Sequence, residues 1–158
     1  TADLGVNCEK DHYPDTVVHK KLGTYQAMLV ASPEADSRLL DFVTPHQRKP
    51  VSLICNEPEG YYQMDMDRYL EARDIRLEPY MKLQSIEAVK RCVMSNLGLA
   101  VVPTYSVEEE LKNGSLIPVK TELDEKLYHS VYVYHKNKWL SPQMELALKL
   151  LKQTVGVK

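Results

Sequence analysis

Two short segments of the sequence could bind a small anion through main-chain N–H groups. Each follows a predicted strand and precedes a predicted helix, at residues 59–62 and 84–86. The N–H groups in the first turn of a helix lack partners within the helix and lie at the positive end of its dipole, so they favour a carboxylate, sulfate or phosphate. Gly60 would let a ligand approach the backbone, and Gln84 and Ser85 would add an amide and a hydroxyl group. Both segments are therefore candidate ligand-binding sites.

Each of these segments also has a structural interpretation, which the sequence leaves open. Ser85 suits the N-cap of a helix, where it would contribute about 1 kcal/mol of stability. Tyr61 and Tyr62 are adjacent in a predicted helix and cannot both face the core, so that either could be the exposed one. Glu57 and Glu59 would repel an anion at this position and would instead favour a ligand that carries an amine.

The sequence contains none of the common signatures of catalysis or metal binding. There is no G-x-S-x-G, H-E-x-x-H, P-loop or G-x-G-x-x-G motif. The five histidines do not share the spacing of zinc ligands on a helix, and Cys8, Cys55 and Cys92 form no C-x-x-C pair. We therefore expect no catalytic residue, no metal ligand and no cofactor. The cysteines are interpreted as small buried side chains rather than as redox-sensing thiols.

Length, composition and charge are typical of one ordinary domain or of two small lobes. The chain has 158 residues, of which 44% are hydrophobic and 27% charged, and such a chain can bury a core without disulfides or metal. With 20 Lys and Arg against 22 Asp and Glu, its formal charge is -2, which gives no positive field for nucleic acid. No apolar run is long enough to cross a membrane. We expect a soluble, cytoplasmic protein without a membrane partner.

The elements that must position the candidate sites alternate between strands and helices, which predicts an α/β fold. The predicted strands lie at residues 4–8, 17–22, 25–31, 50–55, 77–83, 99–102, 116–119 and 128–135. The predicted helices lie at residues 33–43, 61–74, 85–97, 106–113 and 141–155. Gly98 is expected to end the third helix, and Ser106 with Glu109 is expected to form a capping box for the fourth. Lys90 and residues 108–110 are expected to be exposed to solvent.

Residues 83–103, which begin Leu83-Gln84-Ser85 and end Val102-Pro103, carry the most recognisable pattern in the chain. They closely resemble the effector-binding domain of LysR-type transcriptional regulators. Residues 2–6 are similar to the acidic and apolar strand of that family, residues 111–119 to its leucine, glycine loop and strand segment, and residues 132–142 to its final strand and helix start. The resemblance covers essentially the whole chain.

This resemblance implies a periplasmic-binding-protein-like type II fold, in which two Rossmann-like lobes hold an effector in the cleft between them. Residues 1–31 and 128–158 would form the first lobe with the crossover strands, and residues 32–127 would form the second. The first lobe would be incomplete, because the opening strands and helices of the family, as well as its helix-turn-helix, have no counterpart in this chain. We therefore expect an exposed sheet edge or hydrophobic surface around residues 4–8.

The resemblance also implies which residues bind the ligand. Ligands of the family commonly contact the two helix starts described above and the end of the strand at residues 102–103. These positions are occupied by Gly60, Tyr61, Gln84, Ser85, Val102 and Pro103. Without the resemblance, Pro103 would be interpreted simply as the end of a strand.

The function that the resemblance implies is that of a sensor. The chain would be the effector-sensing regulatory domain of a bacterial LysR-type regulator and would bind a small anionic or amino-acid-like ligand. Binding would alter the geometry of a homodimer or homotetramer on DNA, which the intact protein would contact only through its helix-turn-helix. The alternative is a fragment of a solute-binding transport protein of the same fold, against which the lack of an export segment argues. An enzyme is the least favoured function.

Overall fold

The computed structural model describes residues 4–8 and 12–155, which divide into two compact units. The first unit comprises Thr1–Tyr25 and Leu127–Lys158, and the second comprises Gln26–Lys126. Residues 2 and 3 of the segment 2–6 that resembles the family, and residues 9–11 after the predicted first strand, lie outside the described residues. The boundary between the units at Tyr25 falls within a single long strand.

The described residues form strands and helices in alternation, which confirms the predicted α/β class. The strands are β1 (Gly5–Cys8), β2 (Val17–Ala31), β3 (Gln47–Cys55), β4 (Ile75–Lys82), β5 (Ala100–Pro103), β6 (Ile117–Val119) and β7 (Leu127–His135). The helices are α1 (Tyr61–Ala72), α2 (Ile86–Met94), α3 (Glu108–Asn113) and α4 (Pro142–Val155). Two single turns of 3-10 helix lie at Ser37–Leu39 and Thr104–Ser106.

In the first unit, helix α4 packs on a sheet made of β1, β7 and the first part of β2. β1 pairs antiparallel with β7, and β7 lies beside β2. The core contains Leu22, Tyr132 and Leu148, against which Tyr134 and Leu151 pack. Leu148 and Leu151 come from one face of α4, as the hydrophobic spacing of this helix predicts.

Strand β1 lies at the edge of this sheet. Among the described strands it pairs only with β7. Val6 in its middle is 48% exposed. The exposed sheet edge that the sequence predicts around residues 4–8 is therefore confirmed.

In the second unit, β3 is the central strand of a parallel arrangement. β4 pairs with it on one side, with Gln47 opposite Ile75. On its other side, Leu53 bridges in parallel to Leu99, directly before β5. β2 then pairs antiparallel with both β5 and β6. The core of this unit is aliphatic and is formed by Val30, Ile54, Val89, Val93, Ala100, Val102, Val107 and Leu116.

Residues 17–31 form one strand and not the two strands that the sequence predicts on either side of Gly23. Glycine has no side chain that would prevent an extended conformation, so its presence weakens a strand without ending it. The Gly23 carbonyl also accepts a hydrogen bond from the Ser130 hydroxyl of β7 at 3.3 Å. The partner strand thus holds the backbone extended at this position.

The helix predicted at residues 33–43 is wrong, since only Ser37–Leu39 forms a turn of 3-10 helix. The carboxylate of Asp36 accepts the Arg38 N–H at 3.0 Å, and that of Asp41 accepts the Val43 N–H at 2.9 Å. Such local hydrogen bonds offer the backbone an alternative to the helical pattern. The Asp36 carboxylate caps the single 3-10 turn, and the Asp41 carboxylate holds a separate turn after it at Val43 and Thr44.

The predicted ends of two helices are also wrong. α2 ends at Met94, because Asn96 adopts the left-handed conformation with φ 58°, and Leu97 is then 58% exposed. Gly98 instead allows β3 to approach, since a Cβ atom there would lie 2.6 Å from the Ser52 carbonyl oxygen. The capping box of α3 does not form, because the Ser106 hydroxyl donates to the Pro103 carbonyl at 2.6 Å.

Lys90 is buried, and its predicted exposure is wrong. It is only 7% exposed, although it lies among the charged residues of α2. Its Nζ lies 2.6 Å from Oε1 of Glu110 and 3.1 Å from Oε1 of Glu87. The acidic run at residues 108–110 is therefore not wholly a solvated face, because Glu110 joins α3 to α2.

The described residues contain no group of three or more His, Cys, Asp or Glu side chains that could hold a metal ion. Cys55 is buried and Cys92 is half-buried, and both are free thiols. The side chain of Cys8 lies outside the part of the chain that the structure describes. No helix among the described residues is long and apolar enough to cross a membrane.

Candidate functional site

All six predicted ligand-binding residues lie at one edge of the second unit, where its parallel strands end. β3 ends at Cys55, β4 at Lys82 and β5 at Pro103. The Leu83 N–H donates to the Cys55 carbonyl at 2.9 Å, which holds the segment after β4 beside the segment after β3. We call residues 56–61, 83–86 and 102–103 the carboxyl edge. In open α/β sheets, ligands bind outside the carboxyl ends of the strands.

The first segment of the carboxyl edge leads from β3 into α1 through Gly60. The Gly60 carbonyl accepts the N–H groups of Gln63 and Met64, both at 3.0 Å, so Gly60 begins the helix. Its own N–H donates to the Glu57 carbonyl at 3.1 Å, and a Cβ atom would lie 3.3 Å from that oxygen. Glycine is therefore favoured here by a tight loop. This requirement is separate from any contact with a ligand.

The question of which tyrosine faces the core is settled by the burial of the two rings. Tyr62 is 3% exposed and belongs to the buried face of α1, together with Met66, Tyr69 and Leu70. Tyr61 is only partly buried. Tyr61 is thus the aromatic side chain that this segment presents at the carboxyl edge.

The second segment leads from β4 into α2 through Gln84 and Ser85. The Ser85 hydroxyl oxygen accepts the Ala88 N–H at 3.2 Å, and the Ser85 carbonyl accepts the Val89 N–H at 3.1 Å. The structural interpretation of Ser85 as an N-cap is therefore confirmed. A serine hydroxyl that accepts one hydrogen bond can still donate another. Both Gln84 and Ser85 are exposed, so a ligand could reach them.

The third segment, Val102 and Pro103, is enclosed by its neighbours. The Val102 side chain is completely buried in the aliphatic core and lies opposite Met28 of β2. The Pro103 carbonyl already accepts the Ser106 hydroxyl. A ligand could therefore contact Val102 only at its main-chain N–H and carbonyl groups.

The charges at the carboxyl edge are mixed. The N-termini of α1 and α2 both begin there, and each brings the positive end of a helix dipole. Glu59 and Lys82 are exposed, and Glu57 is half-buried. Glu87 in the first turn of α2 is engaged with Lys90. The helix starts therefore favour a negative group on a ligand, while the two acids of the first segment favour a positive one.

A polar cluster that the sequence did not predict lies next to the first segment. Gln63 is 1% exposed, and its Nε2 donates to Oδ1 of Asp67 at 3.2 Å. The Tyr80 hydroxyl donates to the same oxygen. Burial raises the pKa of Tyr80, and the hydrogen bond to Asp67 raises it further. The spacing of Gln63 and Asp67 along one helix face is visible in the sequence, but Tyr80 joins them only through the packing of α1 against β4.

The negative charge of Asp67 in this cluster also acts on the buried Cys55 thiol. It is 6% exposed, and burial raises its pKa, with the charge of Asp67 adding to the effect. A thiol whose pKa is raised stays protonated and is a poor nucleophile. Cys55, directly before the carboxyl edge, is therefore not an activated nucleophile.

Comparison with known proteins identifies the family of this chain. A family model described as the LysR substrate binding domain matches residues 1–156. The uncharacterized HTH-type transcriptional regulator YfiE of Escherichia coli is 30% identical over 153 residues, which are 97% of this chain and 51% of the relative. A RuBisCO operon transcriptional regulator of Allochromatium vinosum is 34% identical over 91 residues, or 58% of this chain and 30% of the relative. The chain thus spans about half the length of YfiE, and its match covers a smaller share of the Allochromatium vinosum regulator.

Solved structures support the same fold at lower identity. The bromide-bound regulatory domain of HypT from Salmonella typhimurium has a TM-score of 0.72 at 16% identity, covering 99% of this chain and 74% of that one. The regulatory domain of CcmR from Synechocystis, in complex with 2-PG, has a TM-score of 0.68 at 14% identity, covering 97% and 73%. The predicted periplasmic-binding-protein-like type II fold is confirmed by this similarity.

Proposed function

This chain belongs to the LysR substrate-binding domain family, and from that premise we propose that it senses a small effector at the carboxyl edge. The observation that carries the proposal is the convergence of three strand ends on one edge, with two helix N-termini beside them. The hydrogen bond from Leu83 to Cys55 joins the two helix-start segments within one unit. The family assignment favours a regulator over the solute-binding transport protein that the sequence left as an alternative.

The effector that suits this edge is a small carboxylate or an amino acid. Helix N-termini stabilise a carboxylate through their N–H groups and dipoles. Glu57 and Glu59 would in turn stabilise an amine on the same ligand. We infer that Gly60, Tyr61, Gln84, Ser85, Val102 and Pro103 surround this ligand, with Val102 contributing main-chain groups only. Tyr61 would supply a flat apolar wall.

We infer that the two units are the two lobes of the family fold, and that effector binding alters the geometry of the oligomer. The whole protein would act as a homodimer or homotetramer in the cytoplasm. It would bind DNA through a helix-turn-helix and would catalyse no reaction. The HTH-type name of the relative YfiE supports the DNA-binding part of this inference.

The proposal is tested by screening small carboxylates, amino acids and inorganic anions for thermal stabilisation of the chain. A ligand at a hundredfold excess over its Kd stabilises a folded protein by about 2.7 kcal/mol. The decisive variant is Ser85→Asp, because aspartate is also a good N-cap but places a negative charge at the helix start. It should keep the stability of the free protein and lose the stabilisation by an anionic or zwitterionic ligand.

Ser141→Asp is the matched control, because Ser141 caps α4 in the first unit by accepting the Met144 N–H at 3.3 Å. It should leave ligand stabilisation unchanged. If no compound of these classes stabilises the chain, or if Ser85→Asp responds to the ligands as the unmodified chain does, the proposed site is wrong.

A further inference from the structure

We propose that the first unit contains a second small-molecule site, which binds an aromatic carboxylate between its sheet and helix α4. A cavity of about 330 Å³ lies there, entirely within this unit. Its walls come from β2, β7, Leu140 and one face of α4. None of the residues at the carboxyl edge lines this cavity. The proposed site can therefore be tested independently of the effector site.

The sheet side of the cavity is formed by two parallel aromatic rings. Tyr132 and Tyr134 alternate on the same face of β7, with ring centroids 6.3 Å apart and ring planes 11° apart. Tyr132 is 3% exposed and is held in the core with Leu148, whereas Tyr134 is only partly buried. The buried ring thus fixes the position of its neighbour. Tyr134 then presents a flat surface on which another planar ring can stack.

The rim of the cavity is positively charged. Lys149 and Lys152 come from α4 and lie three residues apart on one helix face, and Lys20 comes from β2, two residues before the core residue Leu22. Because side chains two apart along a strand point to the same face, Lys20 faces the same side of the sheet as Leu22. No carboxylate in the described ranges 4–8 and 12–155 pairs with any of these three lysines.

The position of Lys152 links the charged rim to the aromatic wall. Its Nζ lies 5.3 Å from the centre of the Tyr132 ring. An ammonium over a ring face is favourably placed and can still donate hydrogen bonds to an anion. Among the described residues that line the cavity, Glu145 is the one acidic group, beside the three lysines Lys20, Lys149 and Lys152. The described lining therefore has a net positive charge beside a flat apolar wall.

These features together select a class of ligand. The volume of about 330 Å³ is at the lower end of the range for ligand pockets. An aromatic ring needs about half of that space, since a cavity of about 150 Å³ holds benzene. A ring stacked on Tyr134 with its carboxylate directed to Lys149 and Lys152 would use both the flat wall and the charge. A hydroxyl group at the far end of the ring could donate to Glu145.

The experiment measures binding of 4-hydroxybenzoate to the 158-residue chain by NMR titration and calorimetry at fixed ionic strength. Cyclohexanecarboxylate, which has the same charge but no flat ring, and inorganic sulfate, which has charge alone, are the comparison ligands. We expect 4-hydroxybenzoate to bind most tightly and to shift the resonances of Tyr134 and α4. Replacing Lys149 and Lys152 together by Gln should raise the Kd of 4-hydroxybenzoate about tenfold or more. Each substitution removes a hydrogen bond between a charged donor and the carboxylate, and losing even one such bond changes a Kd by about tenfold.

Lys136→Gln is the matched control, because Lys136 is an exposed lysine of the same unit that does not line the cavity. It should change the Kd by less than about twofold, since a distant exposed charge is screened by salt. Tyr134→Leu should reduce the preference for 4-hydroxybenzoate over cyclohexanecarboxylate and leave sulfate binding unchanged. Ser85→Asp should not affect this binding, which separates the result from the test of the effector site.

Three results would overturn the proposal. One is the absence of 4-hydroxybenzoate binding up to about 10 mM, a concentration that would detect even a very weak site. Another is an equal affinity of the double lysine variant and of the unmodified chain. The third is resonance shifts confined to the second unit.

Discussion

The two proposed binding sites are built from different parts of the polypeptide. The carboxyl edge of the second unit consists mainly of backbone groups at helix starts, and the residues behind it are buried aliphatic side chains such as Ile54 and Val89. The cavity of the first unit consists of side chains that reach in from two strands and one helix, and its three lysines are exposed. A backbone site depends on the fold that carries it. A side-chain site depends on a few individual residues.

This difference predicts how each site responds to substitution. At the carboxyl edge, changes that disturb the packing of the strands and helices should remove ligand binding together with stability. At the cavity of the first unit, changes in charge should remove ligand binding and leave stability nearly unchanged. The following predictions test this contrast, from the largest expected effect to the smallest.

Replacing Gly98 by Ala should have the largest effect on the second unit. The new Cβ atom would lie 2.6 Å from the Ser52 carbonyl oxygen and 3.1 Å from two carbons of Ile54. Backbone atoms cannot move away easily, so β3 and the segment before β5 would have to separate. Overpacking of this kind costs about 3 kcal/mol, which urea unfolding would measure, and the response to effector should be lost with it.

Gly114→Ala is the control for Gly98→Ala. Gly114 has φ 77°, and no atom of the described residues lies within 4 Å of the place that a Cβ atom would take, so alanine there would strain only the backbone. It should cost about 1 kcal/mol, as is typical of a left-handed glycine. If Gly98→Ala is no more destabilising than Gly114→Ala, the close approach of the strands does not hold the carboxyl edge in place.

Replacing Lys90 by Met should destabilise the second unit by about 2 kcal/mol, because the mutation leaves Glu110 without its partner. The side chains of Lys90 and Glu110 are 8% and 16% exposed, so little water can compensate. Lys49→Met is the matched control at another buried lysine. Lys49 donates to the Leu39 carbonyl and to no carboxylate of the described residues, and burial lowers its pKa. Its replacement should cost about 1 kcal/mol or less, and an equal loss from both variants would contradict this assignment.

The same ion pair predicts a pH dependence of stability. The hydrogen bond to Lys90 lowers the pKa of Glu110, so this contribution is present above the unfolded pKa of glutamate and is lost as the pH falls through the lower, folded value. Burial acts to lower the pKa of Lys90, but its hydrogen bonds to Glu110 and Glu87 outweigh this and raise it. That contribution is complete below the unfolded pKa of lysine and is lost as the pH rises through the folded one. The difference in stability between the unmodified chain and Lys90→Met should therefore be largest between about pH 5 and 10.

Most of the fold could be predicted from the sequence, because hydrophobic periodicity and turn residues are local signals. The helix start at Ser85 and the buried face of α1 are of this kind, since a cap or an apolar stripe needs no knowledge of distant residues. The predictions at residues 33–43 and at Gly98 are wrong because other interactions prevailed. Asp36 and Asp41 bond to nearby N–H groups, and Gly98 serves a contact with a strand that is distant in sequence.

The candidate sites could be predicted to different degrees for the same reason. A strand followed by a loop and a helix is visible in the sequence, so Gly60 and Ser85 could be named, and the resemblance to a family added Val102. The burial of Lys90 and the joining of Tyr80 to Asp67 depend on which elements pack together, which no local pattern contains. The cavity of the first unit was missed because β2, β7 and α4 are far apart in the chain. Only their packing brings Lys20 near Tyr134.

The two serine caps should contribute equally to the stability of their helices, but only one of them should contribute to effector binding. Ser85 and Ser141 accept helix N–H groups at 3.2 and 3.3 Å. Ser85→Ala and Ser141→Ala should therefore each cost about 1 kcal/mol, detectable as faster hydrogen exchange in the first turn of α2 or α4. Only Ser85→Ala should weaken effector binding, because only that hydroxyl lies at the carboxyl edge. Equal weakening by both variants would mean that effector binding follows stability in general and is not specific to this edge.

The smallest change in stability is expected for Lys152→Gln in the first unit. Lys152 is exposed, and its contact with the Tyr132 ring is the interaction that the substitution removes. An exposed contact of this type contributes about 0.5 kcal/mol, so urea unfolding should hardly distinguish Lys152→Gln from Lys136→Gln. A loss several times larger would show that Lys152 is part of the structural core, and the cavity could then not be altered independently of the fold. A small loss, together with weaker binding of 4-hydroxybenzoate, would establish that the charge at this rim serves a ligand rather than the stability of the sheet and helix around it.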